Sequence, residues 1–399
     1  MRRNRLAASG RIRTSMLDKL HHLIRSHGAL RPGRGLASGV IALLLAALCV
    51  LGVLAFHFPE YLTTPELRKN YNVALLRQLL YWALVLAGAI ALFNMVFARK
   101  RWLSASTFGL IGLALALGGH QVEVDPAFPD GTPYIGLDWF VLDLLGSALV
   151  FVFIEKLFPL RREQPVFRPE WQTDFQHFLV NHMIVGFLLL ATNLAVHRLF
   201  GWAVKDGVQA WVRDLPFAVA LLGLVLVADL VQYWVHRAYH EVPALWRLHA
   251  VHHSAKSMDW LAGSRQHMLE VLITRTLVLA PIFVLGFSKP VIDAYIVIVG
   301  FQAVFNHANV SVRLGPLRYL IVTPNFHHWH HSQDSEAIDR NYASHFAFLD
   351  HLFGTAVQSD REWPARYGVL GDYVPDGFWR QLVFPFVWKA KPERARPQA

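Results

Sequence analysis

Apolar residues run through positions 35–308 in blocks of about twenty, parted by short polar breaks. A helix of roughly 20 apolar residues crosses a bilayer. The blocks at 35–56, 74–97, 103–119, 136–157, 177–199, 215–235, 269–286 and 290–308 therefore predict eight spans, the third being the shortest. The stretch 269–308 is too long for one span and is broken by GFSKP (286–290), where Pro290 suits the first turn of a new helix. Two helices there form a hairpin that leaves the membrane on the side where it entered. The polar segments before and after the hairpin can then meet.

Charge placement orients these spans. Residues 1–34 carry nine Lys or Arg and one acid, Asp18. Arg99-Lys100-Arg101 follows the second span, and Lys156, Arg161, Arg162 and Arg168 follow the fourth. The loop between them, HQVEVDPAFPDGTPY (120–134), has neither Lys nor Arg. Basic loops stay in the cytoplasm, so the tail, both basic loops and His236 fall on that side. The tail is followed by an uncharged run of 22 residues, Gly35 to Phe56, which fits a retained span rather than a cleaved signal. Its charge suits an anionic leaflet.

Composition agrees with the membrane. Hydrophobic residues make up 54% of the 399 and charged residues only 17%, whereas soluble domains carry about 25% charged residues. The net charge of +10 lies between apolar runs and not on a basic face, so no nucleic-acid partner is expected. A lone cysteine, Cys49, excludes both a disulfide framework and a thiolate metal site.

Thirteen of the 21 histidines lie between residues 236 and 351. HRAYH places His236 and His240 at i and i+4. LHAVHH places His249, His252 and His253 at i, i+3 and i+4; FHHWHH repeats that spacing with His327, His330 and His331, with His328 off the shared face. His307 stands alone at the foot of the last span. Residues three and four apart share one helix face, so each cluster offers converging ring nitrogens. Structural zinc needs four ligands, and eight or nine imidazoles without carboxylates point to two ions of a metal that imidazole suits. Other histidines, including His21, His22, His27, His57, His120, His177, His182 and His197, read as interfacial or core residues. His267, His345 and His351 stand between the two classes, and His328 reads as a hydrogen-bonding partner behind the ligands. HRAYH has zinc-protease spacing, but Arg237 takes the place of the catalytic Glu. No phosphate-cradling glycine loop and no G-x-S-x-G elbow occurs.

DLVQYWVHRAYH (229–240), LWRLHAVHHSAKSMDWLAGSRQHMLE (245–270), FNHANV (305–310), PNFHHWHHS (324–332) and DRNYASHFAFLDHLFGT (339–355) together resemble the fatty acid hydroxylase/sterol desaturase superfamily. The resemblance covers roughly residues 170–390 and is nearest to the sterol C5-desaturase-like and alkylglycerol mono-oxygenase-like branches. Ala343, Met268 and Leu349 stand where relatives often carry Gly, Pro and Trp, and none is a ligand position.

The apolar blocks and the resemblance together imply an all-α integral membrane protein of about eight transmembrane helices with a cytoplasmic, histidine-rich helical cap. The spans at about 35–157 lie outside the part that the resemblance covers. On the site, the resemblance goes further. It implies two Fe ions held by His236, His240, His249, His252, His253, His307, His327, His330 and His331. The implied chemistry is O2-dependent hydroxylation or desaturation of a membrane lipid, whether sterol, fatty acyl, ether lipid or the head group of an aminolipid. Unactivated C–H bonds are beyond side-chain acids and bases and need a redox metal. Electrons must come from a separate donor: NAD(P)H through a reductase, ferredoxin or cytochrome, or a pterin. Asp229, Asp259, His267, His328 and His345 are candidate supports behind the ligands; each Asp either orients an imidazole or caps a chain segment. The expected division is a basic tail at 1–34, an additional N-terminal transmembrane region at 35–160, the catalytic domain at 161–390 and a polar tail at 391–399, with a bacterial inner membrane as the location. The competing reading is a histidine-rich metal transporter. Transporters hold ionisable ligands near the bilayer midplane, whereas these clusters lie at or beyond span ends.

Overall fold

A computed structural model describes residues 36–97, 101–124, 134–358 and 362–387. The two predicted tails lie outside this set, as do 98–100 and 125–133 of the loops whose charges orient the spans. The described residues are helical, with two isolated bridges and no strand.

The chain divides into two compact units. The first comprises residues up to 51, 78–120 and 165–167. Its described part holds most of α1 (Leu36–His57) and α2 (Val73–Phe97), with α3 (Arg101–Ala116). Small residues line its interior: Ala42 and Ala46 of α1, Ala87 and Ala91 of α2, and Ala114 of α3 are fully buried. Side chains this short let apolar helices approach closely without help from water. Ser38 Oγ donates to Asn94 Oδ1 at 2.9 Å, linking the start of α1 to the end of α2.

The second unit, residues 52–77, 121–164 and 168–399, carries every histidine of the three clusters. It contains α4 (Leu137–Leu157), α5 (Trp171–Met183), α6 (Val185–Phe200), α7 (Asp206–Arg213) and α8 (Phe217–Glu241). Then come α9 (Pro243–His253), α10 (Met268–Leu285), α11 (Lys289–His307), α12 (Pro324–His330) and α14 (Phe378–Val387), with the short α13 (Phe348–Leu352) before the last. The hairpin predicted over 269–308 is α10 and α11. Gly286 at φ 68 closes α10 in the left-handed region that favours glycine, and Pro290 lies in the first turn of α11. Val278 and Ile282 of α10, Val291 and Tyr295 of α11, and Ala220, Leu224, Val225 and Ala228 of α8 form one apolar core. The chain is a multi-pass membrane protein: seven described helices are long and apolar enough to cross, and up to eight if one bent pair counts as a span.

That bent pair occupies the predicted span at 177–199 and differs from a single straight helix. The segment is two helices meeting at 61°, with the break at Ile184 (φ −101, ψ 11). Polar side chains on α5 explain the departure. His177 Nδ1 and Asn181 Nδ2 both reach the Gln266 carbonyl, at 3.1 and 3.2 Å, so α5 follows the loop before α10. A second difference concerns α8, which runs past the apolar stretch 215–235 to Glu241 and so carries His236 and His240 on a continuous helix. Glu155, buried near the end of α4, accepts the backbone N–H groups of Trp260 at 2.7 Å and Asn309 at 3.0 Å. This ties α4 to the segments flanking the histidines.

Candidate metal centre

Three helices and the end of a fourth deliver the histidines. His236 and His240 sit one turn apart near the end of α8, and Pro243 restarts the chain as α9 after a break at Val242. The i, i+3, i+4 spacing of α9 turns His249, His252 and His253 to one side. Thr323 caps α12 by accepting the Phe326 N–H at 3.2 Å, which fixes the helix that bears His327 and His330, with His331 at its C-cap. His307 is the last residue of α11.

The nine histidines named from the sequence come together, each at most 6% exposed. They form two groups that cut across the sequence clusters. His236, His240, His249, His253 and His330 make one; His252, His307, His327 and His331 make the other, with the ligand atoms of each group within 4.8 Å of one another. The groups adjoin, since the rings of His253 and His331 stack with centroids 4.4 Å apart.

Hydrogen bonds at the outer nitrogens decide what the inner ones offer. His236 Nδ1 faces the Tyr342 carbonyl at 2.7 Å, His252 Nδ1 the Arg265 carbonyl at 3.1 Å, His307 Nδ1 the Ala303 carbonyl at 2.8 Å and His330 Nδ1 the Arg340 carbonyl at 2.7 Å. His249 Nδ1 meets Glu270 Oε1 at 2.7 Å, and His240 Nδ1 meets Asp339 Oδ1 at 3.1 Å. Carbonyls and carboxylates only accept, so the proton of each neutral ring is held on Nδ1 and Nε2 is a bare lone pair. Those lone pairs confront one another: His236 and His249 at 3.0 Å, His252 and His307 at 3.3 Å. Around them, His253 Nε2 lies 3.1 Å from His249 Nε2, and His327 Nε2 lies 3.0 and 3.1 Å from those of His307 and His331. His330 Nε2 is buried with no hydrogen-bond partner. Acceptors packed against acceptors are repulsive until a cation lies between them. Two ligands at right angles, each about 2.1 Å from one ion, would be about 3.0 Å apart. The residues fit two metal ions.

Burial, with help from neighbouring imidazoles, holds His249, His253, His327, His330 and His331 well below the usual histidine range, and burial with His307 does the same for His252. They are therefore neutral at pH 7, the form a metal requires. Gly263 packs against the second group; a Cβ there would lie 2.8 Å from His307 Nδ1, so only glycine leaves that ring where it is.

The five candidate supports behave differently. Asp229 accepts the backbone N–H groups of Ser344, His345 and Phe346 at 2.7–3.1 Å and orients no imidazole of the nine. Asp259 accepts the N–H groups of Leu261 and Ala262 and pairs with Arg168 at 2.8 Å. Of the two roles open to these carboxylates, each takes that of fixing a chain segment. His267 caps α10 and reaches the Leu382 carbonyl, while His345 bonds Gln302. His328 lies between Tyr367 Oη at 2.9 Å and the Ala308 carbonyl at 3.1 Å, beside His307 but turned from both groups.

Sequence reasoning passed over the carboxylates that do meet the ligands, Glu270 and Asp339. For Glu270 a signal existed: it is the one acid of a helix of span length, in its first turn, and such residues are functional by default. Replacing Glu270 with Leu removes the acceptor that fixes the His249 tautomer. Outer partners of this kind are worth 10- to 100-fold in metal affinity, so metal titration of the variant is expected to show a loss of that order, largely restored by Glu270→Gln, whose carbonyl still accepts.

Comparison with known proteins adds independent information. Residues 221–355 match the family model described as fatty acid hydroxylase. The chain is 30% identical over 259 residues to ornithine lipid hydroxylase OlsE of Rhizobium tropici, covering 64% of this chain and 78% of that one. It is 33% identical over 148 residues to alkylglycerol monooxygenase of Homo sapiens, covering 36% of this chain and 31% of that protein. Methylsterol monooxygenase 1 of Rattus norvegicus is 24% identical over 223 residues, 55% of this chain and 74% of the relative. The chain thus spans most of the first and third of these relatives and about a third of the second. No solved structure matches it.

Proposed function

The chain belongs to the fatty acid hydroxylase family, and from that premise we propose that it is a membrane-embedded di-iron monooxygenase acting on a lipid. The observation that carries this reading is the pair of imidazole groups, in each of which two bare Nε2 atoms face one another: His236 and His249 at 3.0 Å, His252 and His307 at 3.3 Å. The relatives named above are hydroxylases and monooxygenases, which favours hydroxylation over desaturation and leaves the transporter alternative without support.

Two irons, when bound, would supply the reduction of O2 by external electrons that oxidises an unactivated C–H bond. The five-histidine group and the four-histidine group would hold one each. The protein's own part is to keep the imidazoles of α9 and α12 neutral, fix the tautomers of six of the nine through carbonyls, Glu270 and Asp339, and exclude bulk water by burying the rings. Helices α8, α10 and α11 run from the site into the bilayer, so a lipid can approach along them. Electrons would come from a separate protein or a pterin, and the basic loops support placing the site at the cytoplasmic face of a bacterial inner membrane. Residues 161–390 would form the catalytic domain, and the spans before it an addition.

Comparative lipid analysis of bacteria with and without the protein tests this. A lipid heavier by one oxygen is expected only where the protein is present, and purified protein is expected to hold about two irons per chain. An unchanged lipid profile together with a single zinc per chain would overturn the proposal.

A further inference from the structure

Arg275 is the eighth residue of α10, a helix long and apolar enough to span the membrane. Among the described residues it makes no ion pair, and no opposing charge acts on it. Its neighbours on the same stripe of the helix, Val271, Val278 and Ile282, are buried, the last two in the core shared with α8. Arg275 alone on that stripe is exposed. A side chain on a packed stripe that is still accessible lies where the packing of the helix opens.

This stretch of α10 adjoins the metal centre. Thr274, the preceding residue, bonds Tyr239 Oη at 3.1 Å, and Tyr239 Oη donates to the Glu270 carbonyl at 3.2 Å. Tyr239 precedes His240, and Glu270 holds His249. At 1.5 Å per residue, Arg275 lies about 7.5 Å along α10 from Glu270, towards the membrane interior.

A guanidinium at that depth is costly without a counter-charge, and ionisable groups inside spans mark substrate paths. Its planar fork matches a carboxylate or phosphate. We propose that Arg275 binds an oxyanion, carboxylate or phosphate, on the lipid substrate itself and so sets which carbon reaches the histidines. A bulk lipid head group would be met on an outward stripe, not on the one that packs against α8. Because the arginine is so near the site, the carbon presented lies a few bonds from the charge and not at the tail's end. This rests on the reading of the protein as a lipid-modifying enzyme.

The test is lipid retention by the full-length protein in neutral detergent, read by mass spectrometry. N-Palmitoylglycine is compared with its methyl ester, and dioleoylphosphatidic acid with dioleoylglycerol. The wild type is expected to retain at least one acid about tenfold better than its neutral counterpart, and the pair that discriminates names the group. Arg275→Gln is expected to erase the preference; Arg275→Lys, which keeps the charge without the fork, to reduce it severalfold. Metal content equal to wild type shows that each variant is folded, and the lysine variant decides if the glutamine variant is not. No preference in either wild-type pair, or a preference unchanged in the variants, overturns the proposal. Retention is read without turnover. A charge preference lost in Arg275→Gln, in a protein that modifies no lipid, would therefore defeat the enzymatic reading and not this one.

Discussion

His330→Ala and His331→Ala, one residue apart, are expected to empty different metal positions. His330 belongs to the five-histidine group and His331 to the four-histidine group. Successive residues on a helix point about 100° apart, so neighbours in the motif face different sides of the centre. His330 is anchored by the Arg340 carbonyl and presents a buried, unpartnered Nε2; His331 presents Nε2 to His327. Each variant is expected to fall from about two irons per chain to about one and to lose turnover to background. Combining His330→Ala with His253→Ala should cost little more iron than either alone, because both act on one position. Combining His330→Ala with His331→Ala should remove both ions. Metal analysis of the purified variants decides, and iron loss that ignored this partition would show the grouping to be wrong.

Asp174→Ala is expected to cost the most stability of any substitution outside the histidines. Asp174 is fully buried and accepts from Arg168 Nη2 at 2.6 Å and from Arg265 Nε at 2.5 Å, and both arginines are at most 2% exposed. Arg168 has a second partner in Asp259 at 2.8 Å; Arg265 has only Glu170 at 3.1 Å, on a more open carboxylate, and the Ser254 hydroxyl. Removing one member of a buried charge network strands the others, at about 3–5 kcal/mol. The network also reaches the metal centre, because the Arg265 carbonyl accepts from His252 Nδ1 at 3.1 Å. Thermal unfolding in detergent should show a large fall in midpoint, with iron lost first from the four-histidine group. Asp174→Asn, which keeps one acceptor, should lose less. An unchanged midpoint for Asp174→Ala would mean that the two arginines find other partners.

The spans were legible because lipid imposes one rule everywhere: backbone groups must be satisfied within the helix and side chains must be apolar. That rule writes blocks of about twenty apolar residues into the chain, and seven of the eight expected blocks correspond to helices of span length. At 177–199 the apolar block is a bent pair of helices and not one straight helix, and there His177 and Asn181 are bound to a loop far along the chain. Composition does not encode a distant acceptor. The fate of Asp229 and Asp259 was open for the same reason, since their partners are backbone N–H groups that only folding brings within reach.

The histidine spacing likewise determined that each cluster presents one face, because i, i+3 and i+4 are neighbours on any helix. It marked eight of the nine residues that meet; His307, alone at the end of its span, was implied by the family resemblance, and the return hairpin by the break in the apolar stretch 269–308. Only the tertiary structure decided how they are shared: that His249 and His253 part from His252, and His330 from its neighbours His327 and His331. Helical period is a local property, readable residue by residue. The division of nitrogens between two positions depends on the crossing of α8, α9, α11 and α12, and on carbonyls and carboxylates drawn from Arg265, Glu270, Ala303, Asp339, Arg340 and Tyr342. Those are relations between remote segments, which no local pattern carries.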